Sequence, residues 1–250
     1  MRNGVLLSRS YAAHLLFLQQ SSCFCVTLAD AALRLAAGGS MQKIDMNLWE
    51  RKELFEFFSG ASQPFYSVTF TVDVTKLYDY AKSKGLSFYY ALVYLCTESV
   101  NETEAFLYVL REGELYRINR REPSFTDLKT GSELFYIVTM PSGESMEEFC
   151  LAAKKKSAEQ TSFIDGEWET DDLIYFSCLP WIEMTALTNE RDFCADDSVP
   201  RIAWGKYREE NGSKKLQMSV ELNHRFTDGV HVGMFYTALC RRIEALEWEK

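Results

Sequence analysis

From residue 41 onward the hydrophobic and polar positions switch between two periods, alternation for strands and three-to-four spacing for helices. Residues 47–58 predict a short helix whose charged face is Glu50-Arg51-Lys52-Glu53. Residues 65–73 are β-rich and alternate, which predicts a strand. Thr75 is placed to cap a helix over 76–82 that Gly85 ends. Ser87 opens a long helix over 88–100 with little polar face, the pattern of a buried helix. Residues 106–110 and 114–118 flank Arg111-Glu112-Gly113 and predict a hairpin with glycine in the turn. Further strands are predicted over 133–140, 174–178, 201–207 and 216–224, and further helices over 146–157 and 233–248. Strands and helices interleave without an internal repeat, which favours a mixed α/β or α+β domain over a bundle or sandwich.

Composition narrows the function classes. The chain has 250 residues, 47% hydrophobic and 14% aromatic, enough for a sizeable core and too apolar for disorder. No apolar run reaches the ~18 residues of a membrane span, so no membrane partner is expected. The net charge of −9, without a basic block, argues against nucleic acid. The run Lys154-Lys155-Lys156 reads as a solvated helix end. The seven cysteines form no C-x-x-C pair, so no metal is expected. They read as reduced, mostly buried thiols of a cytoplasmic protein.

Residues 1–40 differ from the rest. They hold three arginines, one aspartate and no lysine, leaving −11 on the remainder. They read as a non-core extension, a poor targeting segment, or translated sequence upstream of a start at Met41. The fold is expected over 41–250.

Only three histidines are present, His14, His224 and His231, and an imidazole base must be one of them. The informative stretch is residues 216–231. Leu216, Met218, Val220 and Leu222 share one strand face, and His224 has the same parity. An imidazole ending an apolar stripe is partly desolvated, which favours its neutral, proton-accepting form. Asp228-Gly229 then turns into the last helix, with Asp228 a good N-cap. From the residues alone, His224 is either a structural histidine or a base, and Asp228 either a cap or an orienting carboxylate. No nucleophile elbow, Walker loop or dinucleotide fingerprint competes with them.

Asn223-His224-Arg225-Phe226-Thr227-Asp228-Gly229-Val230-His231 resembles the His-His-x-x-x-Asp-Gly-aromatic-His signature of chloramphenicol acetyltransferases. Trp49-Glu50-Arg51-Lys52-Glu53 is similar to that family's opening, and Ser87-Phe88-Tyr89-Tyr90, Pro180-Trp181-Ile182 and Gly205-Lys206-Tyr207 match further landmarks in order. The resemblance runs from about residue 44 to the end. It implies a two-layer α/β sandwich of the CoA-dependent acyltransferase type with a mixed sheet. It also implies a homotrimer with active sites between subunits, and acetyl transfer from acetyl-CoA to chloramphenicol or a similar small hydrophobic alcohol. His224 aligns with the general base, and Asp228 with Arg51 as a structural ion pair. Tyr89, Lys206 and Tyr207 align with the CoA side, although an exposed strand lysine is the other reading of Lys206. Phe57, Phe58, Tyr66, Glu183 and Thr185 fall on the acceptor side.

The departures define an alternative. The first signature histidine is Asn223, the oxyanion serine falls on Ala186, and a water-holding threonine falls on Ala203. An acceptor-pocket tyrosine is Phe58, which lacks the hydroxyl. The alternative is therefore a weakly active or inactive homologue that binds CoA or another ligand. An acyltransferase of 2-oxo acid dehydrogenases shares a similar His-x-x-x-Asp-Gly motif, but its lipoyl segments and Ala/Pro-rich linkers are not found here.

Overall fold

A computed structural model of the protein describes residues 41–164, 170–191 and 196–248. The predicted extension 1–40, with Cys23 and Cys25, lies outside the described residues, as does Cys194. The strands are β1 (Gln42–Lys43), β2 (Phe65–Asp73), β3 (Tyr108–Arg111), β4 (Glu114–Arg117), β5 (Glu122–Leu128), β6 (Phe135–Thr139), β7 (Leu173–Leu179), β8 (Arg201–Gly205), β9 (Arg208–Glu210) and β10 (Ser213–Asn223). The helices are α1 (Lys52–Ser59), α2 (Thr75–Ser83), α3 (Phe88–Asn101), α4 (Met146–Glu159) and α5 (Gly229–Glu244).

The main sheet runs β2-β10-β8-β7-β5-β6, with β9 also paired to β10. Strand β7 is parallel to both neighbours and the other pairings are antiparallel, so the sheet is mixed as expected. Because side chains alternate along each strand, register builds two unlike faces. Val68, Val220, Ile202, Phe176, Phe125 and Val138 stand in one row across six strands. All but Val68 are buried, in a core with Leu77, Leu92, Phe149, Phe235 and Leu239 from α2 to α5. The next row holds Ser67, Glu221, Arg201, Tyr175, Ser124 and Thr139 and belongs to the other face. A small sheet, β1-β4-β3, packs on α1 through Phe55, Tyr108 and Leu115. No helix among the described residues is long and apolar enough to cross a membrane.

Several predicted bounds shift for local reasons. The first helix begins at Lys52 rather than 47, because the Asp45 carboxylate accepts the Asn47 N–H at 2.9 Å and the chain turns there. The last helix begins at Gly229, just after the Asp228 cap, rather than at 233. The strand predicted over 201–207 stops at Gly205, so Lys206 and Tyr207 lie beyond it. A side chain on Gly205 would place its Cβ 2.7 Å from the Ile182 carbonyl, so only glycine lets the loop after Trp181 close on the strand. In the predicted hairpin Glu112 and Gly113 have φ of 54° and 79°, the two positive values of a tight two-residue turn. Strand β5 was not predicted at all.

Candidate active site

Strand β10 delivers the site. Its stripe of Leu216, Met218, Val220 and Leu222 is buried as predicted. His224 is the first residue past the strand, and its N–H donates to the Pro64 carbonyl at 2.7 Å. The turn after it is tied at several points. Asn223 Oδ1 accepts the Arg225 N–H at 3.0 Å, and Asn223 Nδ2 donates to the Asp197 carbonyl at 2.9 Å. The Arg225 guanidinium lies 4.4 Å from the Phe55 ring centroid and bonds Ser59 Oγ at 3.0 Å.

Arg51, from the turn before α1, closes the arrangement. It donates to the Asp228 carboxylate, to the His224 carbonyl at 3.0 Å and to the Arg225 carbonyl at 3.2 Å. Arg51 and Asp228, 177 residues apart in sequence, therefore meet as the resemblance implied. The Asp228 backbone N–H also donates to His231 Nδ1 at 2.9 Å, which requires that nitrogen unprotonated. Burial, then the Arg51 charge, push the His231 pKa below its ordinary 6.5, in keeping with a neutral ring.

The His224 imidazole is stacked on Phe58, centroids 3.9 Å apart and planes 12° from parallel, with Tyr66 at 4.4 Å. Its Nδ1 is buried 3.1 Å from Asp228 Oδ1, close but poorly aligned for a hydrogen bond, so the carboxylate acts on the ring mainly by its charge. That leaves Nε2 to meet a ligand.

The hydrogen bond from Arg51 holds the Asp228 carboxyl below its ordinary 3.8. A depressed acid contributes stability that is full above its unfolded pKa and lost as pH falls through the folded one. Asp228→Asn is thus expected to lower stability by about 2–3 kcal/mol at pH 7, less than for a fully buried pair because the carboxylate is part-solvated. The gap between variant and wild type should narrow only below pH 3.8, as urea-unfolding midpoints across pH 7 to 3 will show.

A cavity of about 1080 Å³ lies elsewhere, along β5, β6 and β7, and neither His224, Asp228 nor Arg51 lines it. Its wall includes Tyr89, Tyr175, Ser177, Asn189, Arg191 and Arg201 with the apolar Phe135, Ile137 and Phe163. Of the predicted CoA-side residues, Tyr89 reaches this cavity and donates its hydroxyl to the Thr126 carbonyl at 2.7 Å. Lys206 is exposed, and the Tyr207 ring packs on Tyr78 at 5.4 Å and on Phe88, the neighbour of Tyr89, at 6.2 Å. Of the predicted acceptor-side residues, Phe58 and Tyr66 flank His224, and Phe57 is exposed beside them. Glu183, Thr185 and Ala186 are exposed in the loop after Trp181 and line no part of the cavity.

A hydroxyl that sequence reasoning missed stands in the cavity wall instead. Ser177 is in register with Ala203, which pairs in turn with Ser219, on the face away from the helices. The alternation of β7, with Ile174 and Phe176 buried in the core, was the signal that could have exposed it.

A family model described as chloramphenicol acetyltransferase matches residues 40–240. A chloramphenicol acetyltransferase of Clostridium perfringens is 28% identical over 197 residues, 77% of this chain and 90% of its own. Chloramphenicol acetyltransferase 3 of Escherichia coli is 25% identical over 200 residues, 79% of this chain and 94% of its own. Among solved structures, a chloramphenicol acetyltransferase superposes with a TM-score of 0.74 at 21% identity, covering 82% of this chain and 100% of its own. A dihydrolipoamide acetyltransferase of Azotobacter vinelandii gives 0.57 at 15% identity, covering 77% and 85%. Both structural likenesses are of fold.

Proposed function

Because this chain belongs to the chloramphenicol acetyltransferase family, we propose that it moves an acetyl group from acetyl-CoA to a hydroxyl of chloramphenicol or a similar small alcohol. The observation that carries this reading is the His224 imidazole, held between two aromatic rings with Nδ1 against Asp228 and Nε2 free. His224 Nε2 takes the acceptor's hydroxyl proton as its oxygen bonds the thioester carbonyl carbon. The tetrahedral intermediate then collapses, the carbon–sulfur bond breaks, and the imidazolium returns the proton to the departing thiolate. Asp228 and Arg51 are positioning residues, fixing the ring and the turn that carries it.

Ser177, which shares the cavity wall with the Tyr175 hydroxyl of the same strand, takes the oxyanion role that the motifs align with Ala186, because it stands in register beside Ala203. Ala203, buried beside it, supplies none.

Base and cavity divide between copies of the chain. Among the described residues of one chain, no histidine lines the cavity. Phe57 beside the base and Val230 just after Asp228 are 75% and 60% exposed, an apolar rim for a neighbour. In the trimer we propose, His224 of one copy faces the cavity of the next. The enzyme's place is the cytoplasm.

The test is release of CoA thiol from acetyl-CoA, first with chloramphenicol and then with a panel of alcohols. Release that depends on the acceptor is expected. In Ser177→Ala kcat should fall about a hundredfold, while Ala186→Ser leaves the rate unchanged. Absence of acceptor-dependent release across the panel overturns the reading.

A further inference from the structure

We infer that His231 is a second histidine of the site, a positioning residue whose neutral ring anchors the backbone of Asp228 and so aims that carboxylate at the His224 imidazole. The inference rests on the acetyltransferase reading above and deepens it.

Asp228 serves two partners at once. Arg51 donates to its Oδ2, and its Oδ1 lies 3.1 Å from His224 Nδ1. A carboxylate that faces two groups in different directions holds both only if its own backbone is fixed. The two residues that follow do not fix it. Gly229 and Val230 are exposed, and a side chain at Gly229 would meet nothing within 4 Å. His231 grips the residue from both ends. Its ring accepts the Asp228 N–H through Nδ1 at 2.9 Å, and its own N–H donates to the Asp228 carbonyl at 3.0 Å.

Position 231 is the third of α5, where a glutamate or glutamine commonly turns back to accept the N–H of the cap residue. A glutamate here would set a second anion beside Asp228 and compete for Arg51. The imidazole accepts without charge and with fewer torsions to fix.

An imidazole, unlike an amide, can lose this function. With Nδ1 accepting, the neutral ring carries its proton on Nε2. A second proton turns Nδ1 into a donor facing a donor, and the anchor is released. Among the described residues, the charged groups that act on the ring are Arg51, from the turn before α1, and Asp228 itself. Burial, then Arg51, lower the pKa of the ring, and the Asp228 carboxylate opposes them. The anchor therefore holds at neutral pH and is released below the ordinary 6.5.

Two variants of the full chain test this. His231→Leu removes the acceptor, and kcat is expected to fall about tenfold or more, with KM for acetyl-CoA within about twofold. His231→Gln supplies a neutral acceptor that does not titrate and should recover part of that loss. His224 is present in both wild type and His231→Gln, so the ratio of their kcat/KM values isolates His231. That ratio should fall at least about fivefold from pH ~7.5 to pH ~5. Nitrogen-15 NMR of the three histidines gives a readout free of turnover, the variants identifying His231. Its Nδ1 should be unprotonated in the neutral ring, which should titrate below 6.5. His231→Leu as active as wild type, a ratio flat across that range, or an Nδ1 that carries the neutral ring's proton each overturns the inference and leaves the acetyltransferase reading standing. If wild type releases no thiol with any acceptor, that reading fails instead, and the NMR result alone decides whether His231 anchors Asp228.

Discussion

In His224→Ala, acetyl transfer is expected to fall by a factor of about 10³ to 10⁴, the upper range of what a positioned general base supplies. The loss should appear in kcat, because removing the imidazole takes away a proton acceptor rather than a binding wall. The ring's neighbours Phe58 and Tyr66 remain, and so does the Arg51–Asp228 pair, whose bonds to the turn are made through backbone carbonyls and the carboxylate. Folding and assembly should therefore be intact by light scattering. Mixing supplies the sharper arm. Chains carrying His224→Ala, co-refolded with equal amounts of Ser177→Ala chains, pair an intact base with an intact cavity at about a quarter of their interfaces if copies contact head to tail. Activity near a quarter of wild type is then expected from two nearly dead variants. If the mixture gains nothing over its parts, base and cavity do not belong to different copies.

The second large effect concerns stability. Arg121 is fully buried, 0% exposed, just before β5. Its guanidinium donates to the carbonyls of Phe106, Asp171, Leu173, Tyr108 and Ser198, the last four at 2.8, 3.1, 3.2 and 3.3 Å, and to Ser198 Oγ at 3.0 Å. Burial pulls its pKa down to about 10, so it is still charged at neutral pH. Arg121→Met preserves much of the volume but strands these acceptors, each costing about 1–3 kcal/mol when left unsatisfied. Partial rescue by water keeps the sum below that total. A loss of at least ~4 kcal/mol is expected, and a melting temperature lower by roughly 10 °C or more for a chain of this size. Calorimetry or urea titration reads it, and a loss under ~1 kcal/mol would mean the carbonyls find other donors.

What the sequence made legible follows from which forces act locally. Strand β2 is predicted end to end, because its alternation and β-branched residues point the same way. Helix α3 is off by one residue, since Ser87 caps it and accepts the Tyr90 N–H as such a residue should. Strand β5 hides because Pro123 and Asp127 break the pattern. Pro123 is nevertheless tolerated at its second position, where its carbonyl accepts the Met140 N–H at 3.3 Å. Arg51 and Asp228 lie too far apart for any spacing rule, and the family resemblance alone joined them. The place of Ser177 in the cavity wall went unseen because it is set by strand register. Ala186 is aligned from the Pro180-Trp181 landmark of the resemblance and lies in an exposed loop with Glu183 and Thr185.

The place of β10 in the sheet has a consequence for biosynthesis. It lies between β2 and β8, yet it is the last strand of the described chain to be made. While the ribosome is still adding residues before 213, β2 has no partner across its length, and its pairing with β10 joins segments some 150 residues apart. Vectorial synthesis thus cannot close this sheet strand by strand. The emerging chain must wait with two open edges, β2 and β8, until the final segment inserts between them, and non-local pairing of this kind slows folding.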